Sequence, residues 1–123
     1  MIKLSETEIH IMQIIWKYGK TTSFDILEEI KNDDTISENT IRTLLARMVK
    51  KGAIKITDKK SKTYIYEACI NKDEFLRKEG NIFLETIYQG AMNSMLLNFV
   101  KENKLTKKDV EELLKRIDDE SEN

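Results

Sequence analysis

The chain has 123 residues with 21 Lys/Arg, 22 Asp/Glu and one histidine, for a formal net charge of -1. That length fits one domain, or a small domain with an extension, and excludes a large multidomain enzyme. With 40% hydrophobic and 35% charged residues, no proline and four glycines, the composition points to a charge-rich, helix-dominated globular chain.

No apolar stretch approaches the roughly 20 residues of a membrane span. Met1-Ile2-Lys3-Leu4 gives way at once to polar Ser5-Glu6-Thr7-Glu8, without the continuous apolar region of a secretory signal. The expected compartment is the cytoplasm, with no membrane partner. One cysteine, Cys69, and one histidine, His10, cannot supply an internal disulfide, a structural zinc site or Cys/His catalysis. No carboxylate pair, Gly-rich phosphate loop or nucleophile motif stands elsewhere, so neither a cofactor nor an enzyme is expected.

Charge is distributed unevenly. Residues 36–66 hold eight Lys/Arg against Glu38 and Asp58, a local balance of +6, whereas residues 71–123 hold nine Lys/Arg against twelve Asp/Glu, or -3. A basic centre and an acidic C-terminal third suggest two tasks on one chain, the alternative being a solvated charged face.

Ser5-Glu6-Thr7-Glu8 is a capping box ahead of Ile9, Met12, Ile15 and Trp16 at helical spacing, with Gly19 as the stop. Thr22-Ser23-Phe24-Asp25 opens a second helix of about nine to eleven residues carrying Phe24, Ile26, Leu27 and Ile30 and ending near Asn32-Asp33-Asp34. Ser37 caps a third, whose Ile41, Leu44, Leu45, Met48 and Val49 follow an unbroken helical period to Gly52. The period then becomes 2. Ile54–Thr57 and Thr63–Tyr66 read as a hairpin with a five-residue basic tip, Asp58-Lys59-Lys60-Ser61-Lys62. Three helices followed by a hairpin make a winged helix-turn-helix domain over residues 1–70.

A second region, residues 71–123, begins with the cap Asn71-Lys72-Asp73-Glu74 and holds three amphipathic helices. The first carries Phe75, Leu76, Phe83, Leu84, Ile87 and Tyr88, with Gly80 inside it; the second carries Met92, Met95, Leu96, Phe99 and Val100. The third, capped by Thr106, carries Val110, Leu113, Leu114 and Ile117, and residues 118–123 are expected to fray. Three helices in so short a segment form a marginal core, which pairing with a second copy would complete. The expected fold class is mainly α with a small β hairpin: a winged helix-turn-helix domain followed by a helical dimerisation domain.

The third helix carries the chemistry. With Ile41 at 0° and about 100° per residue, its apolar face centres near ~10°, while Asn39, Thr43, Ala46 and Lys50 lie at roughly 140–200°, flanked by Arg42 and Arg47. Such a face suits a major groove: Arg and Lys read guanine, Asn reads adenine, and Thr or Ala methyl groups meet thymine. Lys59, Lys60 and Lys62 of the tip would meet phosphates. Tyr64 or Tyr66 could add a phosphate hydrogen bond or serve as hairpin core. Trp16 reads as core, and His10 and Cys69 as ordinary residues.

Leu4-Ser5-Glu6-Thr7-Glu8 with Met12 and Ile15-Trp16, then Ser37-Glu38-Asn39-Thr40-Ile41-Arg42-Thr43-Leu44-Leu45 running into Val49-Lys50-Lys51-Gly52-Ala53, resembles the BlaI/MecI penicillinase-repressor family. The similarity continues through Phe75-Leu76, Phe83-Leu84, Tyr88-Gln89-Gly90, Leu97-Asn98-Phe99-Val100 and Leu105-Thr106 to Val110-Glu111-Glu112-Leu113, covering essentially the whole chain. The resemblance implies a dimeric repressor of β-lactam-resistance genes that binds a palindromic double-stranded DNA operator. Its recognition helix would run from Ser37 to Lys51, including Thr40. The resemblance further implies induction by a sensor-activated protease cutting at Asn98-Phe99 in the dimerisation region; the apolar stripes themselves, with too little partner surface in one chain, assign Phe83, Ile87, Met95, Phe99, Leu113 and Ile117 to dimerisation. Two departures stand out: the wing lacks the family's glycine-arginine pair, and no cysteine follows Cys69, which argues against copper sensing. The alternatives are a winged-helix sensor of a small ligand and a winged-helix adaptor that binds protein.

Overall fold

The computed structural model describes residues 2–30 and 36–121. Ser5 closes the capping box of α1 (Glu6–Tyr18): its hydroxyl accepts from Glu8 N–H at 3.2 Å and its own N–H donates to Glu8 Oε1 at 2.8 Å. Gly19 ends the helix at φ +82°, a conformation costly for any residue with a Cβ. β1 (Lys20–Thr21) follows, a strand that the sequence pattern does not announce. It is too short to show a period and exists because Lys20 and Thr21 pair with Glu67 and Tyr66.

The Thr22 hydroxyl caps α2 (Ser23–Glu29) by accepting from Asp25 N–H at 3.1 Å. This helix has seven residues, shorter than expected, and its cap Ile30 has already left helical geometry. The anticipated end at Asn32-Asp33-Asp34 lies outside the described residues. Phe24 also departs from expectation: it is 59% exposed, because about 200° of helix separates it from Ile26, which faces the core.

α3 (Glu38–Lys51) is capped by the Ser37 hydroxyl, which accepts from Thr40 N–H at 3.2 Å, and closes on Gly52 at φ +83°. β2 (Ile54–Lys60) and β3 (Thr63–Ala68) pair antiparallel in a sheet of order β1-β3-β2. Pairing continues to Lys60↔Thr63, so the wing tip is the two-residue turn Ser61-Lys62 and not a five-residue loop. The extra residue that lengthens β2 is Thr57, bulged between Ile56↔Tyr66 and Asp58↔Ile65. Ser61 holds φ +60°, where glycine would sit without strain.

The core joins Ile11, Met12 and Ile15 of α1, Ile26 of α2, Ile41, Leu45 and Met48 of α3, and Ile54 of β2, all essentially inaccessible. Trp16 packs at its edge. Its ring lies 5.5 Å from that of Phe75, and its indole N–H donates to Ile70 O at 2.9 Å. This compact unit runs to Phe75. Its three helices and terminal hairpin form a winged helix-turn-helix.

The second compact unit begins at Leu76. Asn71 Oδ1 caps α4 (Lys72–Ile87) by accepting from Glu74 N–H at 3.0 Å, and Gly80 lies within that helix without ending it. α5 (Met92–Lys101) starts at Ala91 without a side-chain cap. Thr106 and Asp109 cap α6 (Lys107–Ser121) reciprocally, at 2.9 and 3.2 Å. That helix continues through Ser121, so Asp118–Glu120 are helical instead of frayed, adding a polar turn beyond Ile117; residues 122–123 lie outside the described residues. Among the described residues, none of α5 or α6 is buried.

Candidate nucleic-acid interface

Every residue singled out on α3 is exposed: Asn39, Thr40, Arg42, Thr43, Ala46, Arg47 and Lys50. Ile41, Leu45 and Met48 turn the other way into the core, so helical periodicity alone divides the two faces. The hydroxyls of Thr40 and Ser37 lie 3.0 Å apart at the N-terminal end, holding Thr40 against the cap. Thr43 donates its hydroxyl proton to Asn39 O at 2.9 Å, leaving its methyl group and an acceptor lone pair to face outward. Arg42 donates from Nη2 to Glu38 Oε1 at 2.8 Å. Among the described residues no carboxylate pairs with Arg47 or Lys50.

Gly52 and Ala53 lead directly from α3 into the wing, whose Lys59, Lys60 and Lys62 are all exposed. Lys59 is opposite Tyr64 in the ladder, its ammonium 5.4 Å from the ring centroid. The two hairpin tyrosines divide their roles. Tyr64 is 44% exposed on the wing, whereas Tyr66 is 7% exposed and belongs to the core. Burial raises the Tyr66 phenol above its ordinary range, Tyr64 adds to that, and the charge of Arg42 offsets part of it.

Sequence reasoning missed the pair that locks α3 to α1. Glu8, 2% exposed, accepts from Lys51 Nζ at 2.7 Å in addition to Ser5 N–H. Burial pushes its carboxyl up, but the hydrogen bonds from Lys51 and Ser5 outweigh this and hold it below the usual carboxylate value. The capping box is a visible local signal; a partner 43 residues away is not.

In the second unit Phe83, Ile87, Leu113 and Ile117 are 45%, 62%, 50% and 51% exposed, while Met95 and Phe99 are half-buried. The Phe83 ring lies 5.8 Å from that of Tyr88, whose hydroxyl accepts from Asn98 Nδ2 at 3.2 Å. The Asn98-Phe99 peptide lies inside α5: Asn98 O accepts from Glu102 N–H at 3.0 Å, and Phe99 O from Lys104 and Leu105 N–H at 2.8 and 3.1 Å. Among the described residues no His/Cys/Asp/Glu cluster could hold a metal ion, and no helix is long and apolar enough to cross a membrane.

The comparisons agree with this architecture. The Staphylococcus aureus penicillinase repressor is 36% identical over 118 residues, covering 96% of this chain and 93% of that protein. A solution structure of the DNA binding domain of the repressor BlaI matches with a TM-score of 0.52 at 29% identity, over 59% of this chain and 88% of that one. Bacillus licheniformis BlaI, in its monomeric form in complex with the blaP half-operator, matches with a TM-score of 0.50 at 29% identity, over 60% and 90%. The model of the family described as Penicillinase repressor matches residues 4–119, and the chain belongs to that family.

Proposed function

We propose that this chain is a homodimeric transcriptional repressor. Each protomer binds one arm of an inverted-repeat operator through α3 and the wing, and proteolysis in the second unit releases the DNA. One observation carries the DNA reading. A single compact unit joins an α3 face of small, polar and basic exposed side chains, with the one acid Glu38 paired to Arg42, to a wing with three exposed lysines. The division of labour follows from chemistry: Asn39, Arg42, Thr43, Ala46 and Arg47 face base edges, while Lys50 and the wing lysines supply charge to phosphates. The half-operator complex of Bacillus licheniformis BlaI, a unit of similar fold, supports DNA binding by this unit; the division among its residues rests on their chemistry.

Dimerisation rests on exposed apolar surface. Ile82, Phe83, Ile87, Leu97, Val100, Leu113, Leu114 and Ile117 are each 41–62% exposed within one short unit. So many large apolar side chains left half-exposed within one unit favour a partner surface. A second copy of the chain supplies the same surface in two-fold symmetry. Proteolysis at Asn98-Phe99 is compatible with packing because α5 lacks both a side-chain cap and a buried residue. Its opening to a cleavable extended form costs least in the free protomer; in the dimer it also breaks the contacts that α5 makes with the second copy. The small-ligand alternative has less support: a cleft of about 410 Å³ among the described residues, lined by Tyr18, Thr21 and the charged Lys20, Asp25, Glu28 and Glu29, is open to solvent, whereas ligand pockets are mostly enclosed.

Salt dependence tests the interface. Replacing Lys59, Lys60 and Lys62 together by alanine is expected to weaken binding to every DNA sequence. It should also flatten the slope of log affinity against log salt by about one unit for each phosphate no longer neutralised. An unchanged slope in fluorescence-anisotropy titrations would remove the wing from the interface. Binding of the wild-type chain that does not weaken with salt would contradict the DNA reading altogether.

A further inference from the structure

We propose that Glu38 is a positioning residue that makes Arg42 discriminate between bases; the inference rests on the reading of α3 as the groove-facing helix. Glu38 and Arg42 stand one turn apart on its exposed side, joined at 2.8 Å, with side chains 45% and 63% exposed. The acid precedes the base by four residues, the favourable order on a helix. The bond is charge-assisted and engages one guanidinium nitrogen, leaving the other donors of the planar fork free to point outward.

An arginine at a groove has two competing targets. Phosphates attract it by charge alone and carry no sequence information, whereas guanine O6 and N7 require the fork in one orientation. A carboxylate at hydrogen-bond distance cancels much of the net charge that phosphates would recruit and fixes the guanidinium that base edges need. The same carboxylate is repelled by any phosphate that approaches Arg42. Glu38 thus works against non-specific binding more than it adds to specific binding, and specificity is the difference of the two. Its place in the first turn also suits the helix dipole, so the test must separate that role from positioning.

The experiment uses the full-length chain and two probes: an inverted-repeat duplex recovered by selection from a randomised pool, and a duplex of the same length and composition in scrambled order. Glu38→Ala is expected to lower the ratio of the two affinities by about tenfold, mainly through tighter binding to the scrambled probe, with a salt slope steeper by about one unit. Glu38→Asp, which keeps the charge near the helix terminus but shortens the reach, should lose the ratio in the same way while keeping the wild-type thermal midpoint. In an Arg42→Ala background, removing Glu38 should leave the ratio unchanged. A ratio unaffected by Glu38→Ala, or an equal loss when Arg42 is absent, would overturn the proposal while leaving the DNA reading intact. No sequence recovered by selection, or a ratio unaffected by Arg42→Ala, would remove the groove-facing role on which it rests.

Discussion

Residues 1–98, produced directly as a truncated chain, are expected to be largely monomeric and to bind a two-armed inverted repeat at least about 100-fold more weakly than the full chain. The truncation removes Phe99, Val100, Val110, Leu113, Leu114 and Ile117. Val100, Leu113, Leu114 and Ile117 are 45–56% exposed in the isolated protomer. Burying the exposed half of one such side chain contributes about 1 kcal/mol, so four from each of two protomers contribute about 8 kcal/mol before the costs of association. About 4 kcal/mol separates nanomolar from micromolar dimerisation. Even half of that contribution is therefore enough to dissociate the dimer at cellular concentrations, while the winged-helix unit keeps its core. Electrophoretic mobility shift beside the intact protein checks this. Undiminished affinity would show that cutting Asn98-Phe99 is not a release step.

Lys51→Ala is expected to destabilise the winged-helix unit by about 2–3 kcal/mol. Removing one partner of a fully buried ion pair costs about 3–5 kcal/mol. Lys51 is itself 36% exposed, so water recovers part of the loss. What remains is a Glu8 carboxylate with one oxygen, Oε2, already buried and unpartnered. The pair also sets a pH dependence. Because the folded-state carboxyl lies below its ordinary value, its contribution is complete above the unfolded carboxylate range and is lost as pH falls through the folded value. Wild type should thus lose stability on acidification below about pH 4.5 more steeply than Glu8→Gln, whose neutral side chain does not titrate there. Urea melts across that range provide the check, and parallel acid profiles for the two proteins would contradict it.

The parts legible in the sequence are those set by local pattern. α3 announces itself by five apolar residues on one period, a Ser37 cap and a Gly52 stop, and the same period exposes its groove face. α1, α4 and α6 are similarly visible in caps and stripes, and α5 in its stripe alone. What is not legible depends on residues far apart in the chain. β1 has two residues and exists only through pairing with Glu67 and Tyr66. The wing strands extend through Asp58, Lys59 and Lys60, poor strand formers, because Tyr64 and Thr63 offer cross-strand partners. Phe24 is apolar and next to apolar neighbours, yet it lies about 200° around α2 from buried Ile26 and faces out. Glu8 carries a complete capping-box signature that gives no hint of its burial against Lys51. In the second unit the stripes are plain, but a stripe does not name its partner. Their half-exposed side chains leave surface for a partner, which we propose is a second copy of the chain.

The central claim is that two copies of this chain read two arms of one DNA site through α3, and selection of duplexes by the full-length protein from a randomised pool tests it most directly. The expected result is an inverted repeat whose arm centres lie about 10 base pairs, or a multiple of that, apart, as two-fold related recognition helices require. Arg42→Ala and Arg47→Ala should each relax preference at defined positions in both arms. Recovery of no preferred sequence, or of a single unpaired arm from a demonstrably dimeric protein, would contradict the account.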